Sequence, residues 1–149
     1  MRSRATREEE DRTDRIRVRV LGRPFAVWVL MAVIAVLNGG FRETLLVSWL
    51  GEHVAHVVST ALLVAAILVV AYGFFRSTSI DYRRRELAII GVCWVALTVG
   101  FEFLVGYVEG TPVSVTLGQY DVFAGRVWIV VPVALLVAPL LFGRVLRRR

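Results

Sequence analysis

Lysine is absent from the 149 residues, cysteine occurs once, and there are two histidines and four prolines. With Cys93 alone, an intramolecular disulfide is excluded and the redox compartment stays unconstrained. Cys93 falls in an apolar stretch and is expected to act as a small buried hydrophobe. His53 and His56 stand three apart in EHVAH, which lacks the HExxH arrangement of a helical zinc site. No serine or cysteine nucleophile stands beside an evident base, so an intramembrane enzyme is kept only as the least supported reading, beside a metal site. Charge is scarcest of all in four segments: residues 25–37, 61–71, 87–97 and 129–141 contain none. An ion path needs polar lining or free carbonyls across its whole length, so these gaps argue against a monomeric channel.

What is present is apolar. Hydrophobic residues make up 57% of the chain, above the roughly 45 to 50% of soluble domains even with glycine counted. Four windows approach spanning length, about residues 24–43, 54–75, 87–107 and 126–142. At ~1.5 Å per residue each covers most of the ~30 Å hydrocarbon layer. The fold class expected is all-α: a four-helix transmembrane bundle over residues 24–146. A charged N-terminal tail over 1–23 precedes it, and a basic end at 147–149 follows. The acidic run in the tail, followed by a long apolar stretch without a small-residue cleavage pattern, is unlike a cleaved signal, so the first helix is expected to be retained as an anchor.

All eighteen basic residues are arginine, and their placement carries information. Residues 1–23 hold eight, 76–86 hold four and 143–149 hold four, against Arg42 and Arg126 alone in the other connections. Such a bias puts both termini and the middle connection on the cytoplasmic side of the cell membrane, with short loops outside. The arginine runs are expected to orient the chain and to touch anionic lipid headgroups, without recruiting nucleic acid. Trp28, Tyr72 and Tyr82 would then lie near the inner interface, and Trp49, Tyr107, Tyr120 and Trp128 near the outer one. Trp94 reads as packing.

With that orientation, polar residues acquire depths. Glu102 lies fifteen residues beyond Leu87, about 22 Å from the inner end. Asn38, Arg42, His56, Ser59, Thr60 and Arg126 fall in the same outer layer. Asn38 and Arg42, His56 and Thr60, and Thr98 and Glu102 are i and i+4 pairs, so each of the first three helices presents one polar stripe. Stripes of this kind must face inward, since hydrogen-bonding groups turned to lipid have no partner. The expected centre is Glu102 paired to Arg42 or Arg126, with His56 and Asn38 completing its hydrogen bonds. The first outer connection is expected to break the helix at Gly39-Gly40 and run along the interface. In the second, Val113–Leu117 alternates like a short extended segment, and Asp121 is placed to cap a turn leading to Arg126. That loop is positioned to close over the polar layer as a lid. Pro132 and Pro139 are expected to kink the fourth helix.

The pattern Asn38-Gly39 with Arg42-Glu43, His56 with Ser59, Phe101-Glu102-Phe103 with Gly106, and Tyr120-Asp121 with Gly125-Arg126 and Trp128 resembles a group of small, uncharacterised four-helix prokaryotic membrane proteins. The likeness covers about residues 24–146 and implies the fold, the site residues and no known activity. Members carry Asp-Tyr-Asn where this chain has Gln119-Tyr120-Asp121. Three readings of the polar layer follow. It can fasten the bundle as a buried ion pair in a structural or accessory subunit, alone, as a homo-oligomer or with a membrane partner. It can bind or move a small solute or lipid headgroup through Glu102, Arg42 and Arg126. Least supported is a metal site at His53 and His56 with Glu102 as third ligand; no cofactor is otherwise implied.

Overall fold

The computed structural model describes residues 18–124 and 126–146. The tail expected over 1–23 therefore lies outside the described residues as far as 17, as does the basic end 147–149. The described chain is helical, without a strand. Its helices are α1 (Gly22–Phe41), α2 (Val47–Leu50), α3 (Glu52–Ser77), α4 (Arg84–Val108), α5 (Val113–Gly118) and α6 (Val130–Val145). A 3-10 turn, Val18–Leu21, leads into α1, and a π-helical turn, Arg42–Leu46, joins α1 to α2. Three helical stretches are long and apolar enough to cross a membrane: Arg19–Leu50, Glu52–Ser77 and Arg84–Val108; α6 is shorter.

The helix does not break at Gly39-Gly40. It runs through both glycines, widens at Arg42, and turns only at Gly51, whose φ of +77° suits a residue without a Cβ. Two helical glycines cost about 1 kcal/mol each, whereas unpaired backbone groups in an apolar medium cost several. Val113–Leu117 is likewise no extended segment but most of α5. Pro112 precedes it, where a missing N–H costs nothing, and Thr116 is buried against the close approach of Gly106. The fourth long helix begins at Val130, four residues later than expected. Pro132 thus sits in its first turn, and only Pro139 is interior.

The order of the long helices around the bundle is α1, α3, α6, α4. α6 is wedged between α3 and α4, while α1 lies on α3 and meets α4 only lightly. The wedge works because its contacts are small: Ala71 of α3, Gly91 of α4 and Ala134 and Ala138 of α6 are buried. Small residues let helix backbones approach where apolar burial alone provides no drive. At Gly91 an added Cβ would stand 2.7 Å from the Leu136 carbonyl oxygen. Leu63, Ile67, Leu87, Ile90, Trp94, Val131 and Leu135 fill the remaining core. Cys93, expected to be buried, is exposed. Apolar character does not distinguish a core-facing position from a lipid-facing one.

Candidate functional site

The seam between α1 and α4 is closed at one end and open at the other. The Trp94 indole N–H donates to the Pro24 carbonyl at 2.9 Å, and one turn further along both helices the Trp28 N–H donates to the Thr98 hydroxyl at 3.0 Å. Trp28 thus clasps α1 to α4, and Phe101 packs edge-on against it. Beyond this clasp lies a cleft of about 640 Å³. Trp28, Ala35 and Gly39 form one wall, and Thr98, Glu102 and Gly106 the other. Leu63, Ile67, Val131 and Leu135 make an apolar floor.

Glu102 is one turn past Thr98 on α4, which aims it into this cleft. Its partners come from the connection between α5 and α6. The Tyr120 hydroxyl donates to Oε2, and the Trp128 indole N–H donates to Oε1 at 2.9 Å. Neither Arg42 nor Arg126 reaches Glu102, so the expected ion pair is replaced by two neutral donors. The carboxyl group keeps lone pairs for the cleft it lines. Burial, and then the bond to Glu102, push the Tyr120 hydroxyl far above its ordinary range, so it stays a donor.

Arg42 is occupied elsewhere. Its Nη2 and Nε donate to Glu43 Oε1 at 2.7 and 3.1 Å, and its Nη1 lies 3.4 Å from His56 Nδ1. Neighbours in sequence diverge on a regular helix; this pair forms where the helix widens into the π-turn. Because arginine only donates, His56 Nδ1 is the acceptor and its proton sits on Nε2, which is buried without a protein partner among the described residues, as is the Thr60 hydroxyl. His56 also stacks obliquely near Trp128, their centroids 6.5 Å apart. Neither His56 nor Asn38 bonds to Glu102. Asn38 instead donates to the Ser59 carbonyl at 3.0 Å, tying α1 to α3, and Ser59 donates to the His56 carbonyl.

The segment between α4 and α6 carries the rest. Asp121 Oδ1 accepts from the Ala124 N–H at 3.2 Å, and its carbonyl accepts from the Arg126 N–H, as a capped turn requires. Arg126 itself is exposed. Thr111, Thr116 and Gln119 from this loop line the cleft, so it roofs the mouth. His53 is exposed, and among the described residues no three His, Cys, Asp or Glu side chains converge on a common point. Comparison with protein-family models, curated proteins and solved structures returns no match. The site must therefore be read from its own chemistry. Four contributors escaped the sequence reading: Trp28, Glu109, Gln119 and Trp128 as a partner of Glu102. For Trp28 a signal exists, since it lies one helical turn from Ala32, which also lines the cleft.

A second cavity, about 660 Å³, lies at the opposite end beneath the α3–α4 connection, lined by Phe75, Arg76, Ile80, Asp81 and Gly143. Beside it Tyr82 and Glu86 are buried. Tyr82 donates to the Val20 carbonyl at 3.3 Å, and Glu86 accepts the Arg83 N–H at 2.8 Å, capping the start of α4. These contacts hold the connection against the helix ends.

Proposed function

We propose that this is a four-span integral membrane protein of the cell membrane, with both termini cytoplasmic, and that its α1–α4 cleft binds a small amphiphile in the outer half of the bilayer. One observation carries the reading. Glu102, the charge deepest in an apolar helix, lines a cleft with an apolar floor and a polar rim instead of closing on an arginine. A carboxyl group placed so in lipid is costly unless it serves a ligand or a packed partner. The cavity volume falls within the ~300 to 1,000 Å³ typical of small-molecule sites. Binding is favoured over passage, because the Trp28–Thr98 and Trp94–Pro24 bonds close the seam toward the inner side. The bundle-fastening reading has less support, since the buried Glu–Arg pair it called for does not form.

Gly39 supplies the test. It lines the cleft, and an added Cβ there meets nothing within 4 Å. Gly39→Phe is expected to fill the mouth while the protein folds normally. A small amphiphile that copurifies with the wild-type protein in native lipid, detected by mass spectrometry, should be lost from this variant. Equal recovery from both proteins would remove the cleft as the binding site. The orientation has a separate check. Cysteines placed at Ser79 and Ser114, in a Cys93→Ser background, should react with an impermeant maleimide from opposite sides of the membrane. Labelling from the same side would overturn the topology.

A further inference from the structure

We propose that the head group taken by the cleft is cationic, an ammonium or a similar compact cation carried on an apolar tail. This rests on the reading of the cleft as a ligand site and specifies what that site selects. Four charged side chains line it: Glu43, Glu102, Glu109 and Arg42. The one cation is already spent, with two of its nitrogens on Glu43 and the third against His56. An anionic head would therefore have to displace Glu43 from Arg42. Arg126, the other nearby arginine, does not line the cleft. Glu102 and Glu109 are left, one inside the cleft and one at the end of α4 where the mouth opens. Glu109 makes no side-chain bond among the described residues, and Glu102 meets only neutral donors.

The walls agree with the rim. Trp28, Phe101 and Trp128 line the same space, and aromatic faces attract a partly desolvated cation. Trp28 and Trp128 are each held by an indole hydrogen bond, so their rings are positioned before a ligand arrives. Below them the cleft offers Met31, Leu63, Ile67 and Leu135, a surface for an alkyl chain and nothing for a second charge. The polarity of the space therefore runs from Glu109 at the mouth, past Glu102 and the aromatic walls, to an aliphatic floor. That order matches an amphiphile with a cationic head.

The test uses the full chain in phosphatidylcholine nanodiscs and three amphiphiles that share one bromododecyl chain and differ only in head: trimethylammonium, hydroxyl or sulfonate. Bromine near Trp28 and Trp128 quenches their fluorescence, and Gly39→Phe protein supplies the background from simple partition into lipid. Saturable quenching by the trimethylammonium probe should occur at about one tenth the concentration needed for the hydroxyl probe, since a close charge pair together with the aromatic walls is worth roughly that factor. The sulfonate probe should be the weakest. Glu109→Gln, at an exposed position that the fold does not depend on, should narrow the preference for trimethylammonium. Saturable binding with equal affinity for all three heads, or a preference for sulfonate, would overturn the cationic assignment and leave the cleft reading standing. Failure of every probe to exceed the Gly39→Phe background would overturn the cleft reading itself.

Discussion

Gly91→Ala is expected to destabilise the bundle more than any other single-methyl change in the chain. The new Cβ would stand 2.7 Å from the Leu136 carbonyl oxygen and 3.3 Å from the neighbouring backbone carbons. A side chain in that place can rotate away; a helix backbone moves only if α6 withdraws from α4. That would open the tightest joint in the structure, because α6 is also wedged against α3. Overpacking of a dense interior costs about 1 to 3 kcal/mol, and the rigid obstacle here points to the upper part of that range. In a thermal unfolding experiment in detergent, the midpoint should fall by roughly 5 to 10 °C. Two other glycines calibrate the result. At Gly39 nothing lies within 4 Å of an added Cβ, so Gly39→Ala should be neutral or stabilising by up to about 1 kcal/mol through helix propensity. At Gly143 the obstacle is the end of the Leu87 side chain, which can change rotamer. Gly143→Ala should therefore fall between the other two. Equal midpoints for all three variants would show that the α4–α6 contact does not limit stability.

The same joint marks the boundary of what could be read from the chain alone. Apolar windows placed three long helices nearly where they occur, because ~20 consecutive apolar residues leave the backbone no alternative to internal hydrogen bonding. The i and i+4 spacing of Asn38 with Arg42 and of Thr98 with Glu102 correctly put each pair on one helix face. Which faces meet is another matter. That α6 would sit between α3 and α4 while α1 stayed loosely attached to α4 depends on small residues such as Gly91 and Ala138, whose importance appears only once a partner is opposite them. The partners of Glu102 were misassigned for a related reason. Charge complementarity suggested an arginine, but the π-turn let Arg42 satisfy itself on the adjacent Glu43, and the loop path delivered Tyr120 and Trp128 instead. Of the ten residues expected to form the site, Arg42, Glu43, Thr98 and Glu102 line the cleft. Tyr120 holds Glu102, and Asn38, His56 and Ser59 brace the α1–α3 contact behind the cleft. Asp121 shapes the roof, and Arg126 is exposed and does not line the cleft.

Replacing Glu102 should separate two tasks that the wild-type carboxyl group performs together. In Glu102→Gln the amide oxygen can still accept the Trp128 N–H, and the amide nitrogen can donate to the Tyr120 oxygen once that hydroxyl turns. Both contacts therefore survive with the charge removed. The roof should remain closed and the unfolding midpoint nearly unchanged. Affinity for a trimethylammonium amphiphile should nevertheless drop about tenfold or more, since that head meets the carboxylate by charge alone and a close charge pair is worth ~1 kcal/mol in bulk water and ~4 kcal/mol near a protein surface. Glu102→Ala removes the acceptor altogether. Two half-buried donors, on Tyr120 and Trp128, are then stranded, each at about 1 to 3 kcal/mol if water cannot reach it. Since those donors tie the outer loop and the approach to α6 onto α4, the loop should detach. Limited proteolysis of the detergent-purified protein should then cut between residues 109 and 124 faster than in the wild type or in Glu102→Gln. The comparison is decisive because the two variants share the loss of charge and differ in whether the donors of Tyr120 and Trp128 keep an acceptor. If Glu102→Gln also loosens the loop, the carboxylate charge is structural. If it leaves both the loop and the affinity intact, Glu102 is not the group that receives the cation, and the role falls to Glu109 at the mouth.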